Sequence, residues 1–153
     1  MKNLKFLALL VFFTHMLTIP AFSMSWKDKI WRELECPSTI SGKWIPENRE
    51  TVSHDLLSID KKSLIYISKN KKSKNFKIIE KQRTQGERYV FIKIFPINNT
   101  SEKETIIKIR PHLVHQEIKG SKRNCSIKVF NFETERQAKK DQYSSWAIYR
   151  FKN

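Results

Sequence analysis

The stretch "RPHLVHQE" places His112, His115 and Glu117 within six residues, a spacing that invites a metal-site reading. On a strand, His112 and His115 point to opposite faces, while His115 and Glu117 share one. Two ligands do not complete a metal centre, so no metal is expected here. Ser53, His54 and Asp55 spell the letters of a hydrolytic triad, but consecutive residues cannot adopt a triad's relay geometry. No Gly-x-Ser-x-Gly elbow occurs, and three glycines in 153 residues leave nothing for a phosphate-cradling loop. Paired carboxylates for glycoside chemistry are a matter of spatial separation, so the sequence singles out no pair. The expectation is therefore a protein with no catalytic residues and no cofactor, not an enzyme, with a small hydrolase as the most distant alternative.

Cys36 and Cys125 are the two cysteines. In an exported chain an even pair most simply forms one disulfide, here tying the start of the domain to its penultimate segment. Two thiols alone make a poor metal site.

The charges carry more information. Thirty Lys and Arg against fifteen Asp and Glu give a net charge of +15. "DKKSLIYISKNKKSKNFK" sets Lys61, Lys62, Lys69, Lys71, Lys72, Lys74 and Lys77 around one predicted hairpin, and "KGSKRNC" adds Lys119, Lys122 and Arg123. Gathered on one face, these groups would hold an anionic surface or polymer in a salt-sensitive manner. Nucleic acid would be held through its phosphates alone, so sequence-specific recognition is not expected.

Several elements must position these groups. Residues 1–23 read as a signal peptide. Lys2 and Lys5 precede an unbroken apolar run from Phe6 to Phe13, and Ala21-Phe22-Ser23 offers small residues for cleavage. An uncleaved anchor is the competing reading, weakened by Thr14, His15 and Pro20. Residues 24–36 follow as a short amphipathic helix, with Ser25 placed to cap the amide of Asp28. Trp26, Ile30, Trp31 and Leu34 recur there near helical spacing, as cover for a core or as a plug. Lys27, Lys29 and Arg32 on the opposite side leave a membrane-surface helix as an alternative.

Residues 37–153 form a single domain in which the period shifts to two. "DLLSID", "SLIYIS", "NFKIIEKQR", "RYVFIKIFPI", "ETIIKIR", "HLVHQEIK", "CSIKVFNF" and "WAIYRF" are strand-like runs separated by short polar punctuation. One short helix or turn is expected in "ETERQAKKDQ". The fold class is all-β with one short N-terminal helix: about eight antiparallel strands in an up-and-down barrel, with a β-sandwich as the alternative. Closure is preferred because it removes exposed edges from strands rich in Ile and Phe.

Gly42-Lys43-Trp44 resembles the Gly-x-Trp signature on the first strand of lipocalins and their calycin relatives, in which a short helix precedes the motif. The family's Thr-Asp-Tyr turn is replaced here by "NNTSEKET". The resemblance implies that Arg150, near the end of the last strand, packs across the Trp44 ring and closes the barrel's narrow end. It also implies a cup for a small apolar ligand, although the aromatic load of these strands is enough to fill the interior.

These readings converge on an exported, periplasmic or extracellular, non-enzymatic binding protein, with no transmembrane span after signal cleavage. Its expected partner is an anionic envelope surface, lipid or polysaccharide, or an acidic protein, with a small apolar ligand in the cup as a further possibility. A secreted inhibitor or protein-interaction module is the alternative. Asn98-Asn99-Thr100 would accept a glycan only in a host that secretes through an endoplasmic reticulum.

Overall fold

A computed structural model describes residues 24–48, 52–70, 72–97, 103–114 and 124–152. The signal segment, Lys71, Asn98-Asn99-Thr100, His115, Glu117, Lys119, Lys122 and Arg123 lie outside the described residues. Eight strands close into an antiparallel barrel in sequence order: β1 Gly42–Pro46, β2 Leu56–Ile59, β3 Ser63–Ile67, β4 Ser73–Arg83, β5 Val90–Pro96, β6 Thr105–Val114, β7 Asn124–Phe132 and β8 Ser145–Phe151. Closure rather than a sandwich is the outcome, and β8 pairs with β1 through Trp44 opposite Phe151 and Ile45 opposite Arg150.

Alternation decides what each strand buries. In β5, Val90, Ile92, Ile94 and Pro96 are buried and the residues between them are half-buried. In β6, Ile107, Ile109 and Pro111 point inward, so Lys108, Arg110 and His112 must point out. Trp44, Leu57, Leu64, Ile92, Ile107, Ile109 and Ile127 fill the interior almost free of solvent exposure. The ring bends at β4, where the register with β5 shifts between Ile78 and Glu80 and Ile79 is left exposed. Such bulges sharpen local twist, which a small closed barrel requires.

The N-terminal segment plugs one end. Its helix, α1, runs only from Lys29 to Glu33, shorter than the 24–36 expected. The proposed Ser25 side-chain cap does not form; Asp28 instead accepts from the Ser25 amide at 2.7 Å. The Ser25 hydroxyl donates to the Gly86 carbonyl at 2.9 Å, in the 3₁₀ turn Gln85–Glu87 between β4 and β5. Docking across the barrel end replaces self-capping, which a five-residue helix could not use to stand alone. Trp26 and Trp31 meet edge-to-face inside the core, and the Trp31 indole donates to the Pro37 carbonyl at 2.8 Å. The Cys36–Cys125 disulfide, with its Cα atoms 5.4 Å apart, fastens this plug to the start of β7.

At the same end Gly42 adopts φ +139°, and a Cβ there would stand 2.6 Å from the Phe151 ring. Phe151 packs on Trp44 at 5.0 Å between centroids, and the Trp44 indole donates to the Ile40 carbonyl at 2.9 Å. The residue across the Trp44 ring is thus Phe151 and not Arg150. Strand parity turns Arg150 outward, exposed, one position before the residue that reaches the core. A second helix, α2 (Glu135–Lys139), carries the capping box of Thr134 and Gln137 and lies over the outside of β6 and β7, covering the fully buried Phe132.

Two stability outcomes follow from this end of the barrel. Gly42→Ala should cost about 1–3 kcal/mol in urea unfolding, because the methyl meets a ring held by Trp44. Replacing both Cys36 and Cys125 by Ser should cost about 2–5 kcal/mol by the same measurement, since the bridge closes a loop spanning 89 positions.

Candidate functional site

The hairpin lysines do not gather on one face. Lys61 and Lys62 lie in the β2–β3 turn at the plugged end, and Lys77 pairs opposite Ser63 near them. Lys69 and Lys72 flank the β3–β4 turn at the other end, where Lys74 stands at the barrel mouth opposite Tyr66. All six are exposed. The strand length that separates the two turns also separates the charges.

The cations that do come together sit on the outside of β6, β7 and β8. Register places Lys108, Phe130 and Trp146 in one cross-strand row. The next row is Arg110, Lys128 and Ile148, and the third is His112, Ser126 and Arg150. Two of these cations are neighbours by direct pairing, an arrangement that like charges resist when unneutralised. Lys108, buried to 9% exposure, is satisfied: Asp141 accepts from its ammonium at 2.7 Å, and the Tyr89 ring lies 4.3 Å below it. Lys93, nearby on β5, is likewise bonded to Glu135 of α2 at 2.7 Å.

Arg110 and Lys128 have no such partner. Among the described residues no carboxylate lies within 4 Å of either charge, and the buried Nε of Arg110 makes no hydrogen bond. Aromatic faces support them instead. The Arg110 guanidinium stands 5.6 Å from the Phe130 ring, and the Lys128 ammonium lies 3.9 Å from that of Trp146, whose indole is half exposed. Burial, and then Arg110, hold the Lys128 pKa below the ordinary lysine value. Burial first, then Arg110 and Lys128, push the His112 imidazole toward its neutral form. The nearest acid is Glu47 at the β1 edge of the face, whose carboxylate accepts from the Ser126 hydroxyl at 3.5 Å.

The open end holds a second feature, a cavity of about 310 Å³ bounded by His54, Tyr66, Phe76, Tyr149, Lys74 and Trp146 among others. The His54 ring lies between Tyr66 and Tyr149, at 4.4 and 5.7 Å, and its Nε2 is 2.9 Å from the Tyr149 hydroxyl. Its ring contact is thus with tyrosines, and Ser53 contributes its carbonyl to the Ser68 hydroxyl. Burial keeps the His54 pKa low against the opposing charge of Asp55, and burial raises both tyrosines. The mouth is aromatic and hydrogen-bonding in character, unlike the purely apolar cup that the resemblance implies. Among the described residues no cluster of three His, Cys, Asp or Glu side chains is arranged to hold a metal.

Sequence reading missed Arg110, Lys128 and Trp146 as a set. The signal was present in "IIKIRPH" and "CSIKVFNF", whose alternation turns each strand's polar residues to one side. Which strand stands beside which, and in what register, set the pairs.

Arg110→Gln should raise the His112 pKa, read by the imidazole proton shifts in an NMR pH titration; Lys128→Gln should do the same less strongly. Because His54 and His112 are both held below 6.5 in the folded chain, the unfolded chain takes up these protons first. Stability is therefore lost as pH falls below about 6.5 toward 5, measurable as a drop in the urea midpoint.

The described residues include no helix long and apolar enough to cross a membrane. No family model matches the chain, and neither does any curated protein or solved structure.

Proposed function

We propose that this chain is an exported, non-enzymatic binding protein of lipocalin-like build that holds an anionic partner on its basic exterior. The observation that carries the reading is the outward-facing Arg110–Lys128 pair, two adjacent cations with no carboxylate partner among the described residues. Natural folds neutralise buried or half-buried charge, as this one does for Lys93 and Lys108 through α2 and its flanking turn. Leaving the next two cations open is costly unless an anion arrives from outside. The disulfide fits an oxidising compartment, and the excess positive charge draws anionic partners over distances near the Debye length.

A second reading has its own observation. The cavity at the mouth would accept a small ring compound bearing hydrogen-bonding groups, stacked among Tyr66, Phe76 and Tyr149. The interior below is packed with aliphatic side chains, so such a ligand would sit at the rim.

Retention on immobilised heparin tests the first reading. With roughly three anionic groups neutralised, each releasing about 0.7 of a counterion, affinity should fall about a hundredfold for a tenfold rise in salt. Binding that ignores salt, accompanied by displacement of an apolar fluorescent probe, would favour the mouth instead.

A further inference from the structure

We infer that the outer face of β6, β7 and β8 is a discrete site for an acidic polysaccharide, with Arg110, Lys128 and Arg150 taking its anionic groups and Trp146 supporting a sugar ring. This rests on the reading of the chain as a binder of anions and assigns that role to one place and one class of polymer.

Shape separates the candidates. Arg110 and Lys128 are half-buried, in the row beside that of the Phe130 ring and the protruding Trp146. A planar bilayer pressed on a convex barrel meets the exposed lysines of the turns before it reaches cations at this depth. A single-stranded nucleic acid depends on several free rings for successive bases. Here Phe130 is 8% exposed, so within the three cross-strand rows Trp146 is the ring open to a ligand. What remains is a slender chain whose units each carry their own anion and present one apolar ring face.

The spacing suits repeated charge. Adjacent strands stand about 4.8 Å apart and alternate residues on one strand about 7 Å apart. Arg110 and Lys128 thus meet one anionic group together, while Arg150, diagonal to Lys128 across Ser126, meets the next. The fork of a guanidinium matches carboxylate or sulfate oxygens in two bonds, and at Arg110 the terminal nitrogens, not the buried Nε, would have to supply them. Glu47 reaches across β8 and accepts from the Ser126 hydroxyl at 3.5 Å, so a carboxylate stands within the third row beside Arg150 and the strongest hold on the chain falls to Arg110 and Lys128.

The test compares two double variants of equal charge loss in the disulfide-bonded protein, Arg110→Gln with Lys128→Gln and Lys61→Gln with Lys62→Gln. Binding of a heparin hexasaccharide is followed by calorimetry, with far-UV circular dichroism to verify folding. The face pair should weaken binding about tenfold or more and the turn pair no more than about twofold. Trp146→Ala, on a half-exposed position, should weaken the hexasaccharide more than inorganic sulfate. Equal losses from both pairs would overturn the site while leaving an anion binder. Tighter binding to anionic vesicles or to an oligothymidylate of matched charge would overturn the polysaccharide. Failure of the unaltered protein to bind any of these at low salt would overturn the parent reading.

Discussion

Phe151 rests against Gly42 and Trp44, and that contact makes the ring possible. The last strand can lie beside the first only if its terminal ring finds space, and the space exists because residue 42 carries no side chain. Once Trp44 has a ring on one side and the Ile40 carbonyl on its indole nitrogen, the narrow end is sealed without any charged group. The plug of Trp26 and Trp31 and the disulfide behind it then have a fixed rim to close against. The same closure removes all free strand edges among the eight strands, which protects chains of this Ile and Phe content from pairing with one another.

Filling the interior has a consequence for the exterior. Each strand spends its aliphatic residues inward, so the remaining aromatics and cations of β5 to β8 share the outer surface. There they support one another: Lys108 over Tyr89, Arg110 over Phe130, Lys128 over Trp146. Such contacts soften the cost of burying a cation without discharging it. Where α2 and the turn after it cover the sheet, Glu135 and Asp141 complete the neutralisation. Beyond their reach the charge stays open, and the half-covered face of β6 to β8 becomes the part of the molecule most able to hold an anion.

The two ends of the barrel have different characters for a related reason. At the plugged end, tryptophans exclude water and leave no room for a guest. At the mouth, His54, Tyr66 and Tyr149 present polar atoms to a cavity, and burial holds the histidine neutral and the tyrosines protonated. The Gly-x-Trp resemblance anticipates a preceding helix and a buried Trp44 at the closed end but not the ring that packs on it, because a motif at the first strand constrains its own neighbours and not the strand that closes against it.

Alternation, the helix after Thr134 and the Cys36–Cys125 link were legible in residue order, because each depends on local periodicity or on there being two cysteines to pair. Strand bounds were less so: Gly42–Pro46 is a strand outside the eight runs, and "ETIIKIR" and "HLV" form one strand that continues through Pro111, which puts His112 on the same side as Lys108 and Arg110. The contact of Arg110 with Lys128 was not legible, since residues 18 positions apart meet only through a register set by ring closure. The same holds for Phe151 in place of Arg150: adjacent residues on a strand face opposite ways, and which of the two enters the core depends on where β8 comes to rest against β1. Local order wrote the strands; their cyclic pairing decided which charges became neighbours.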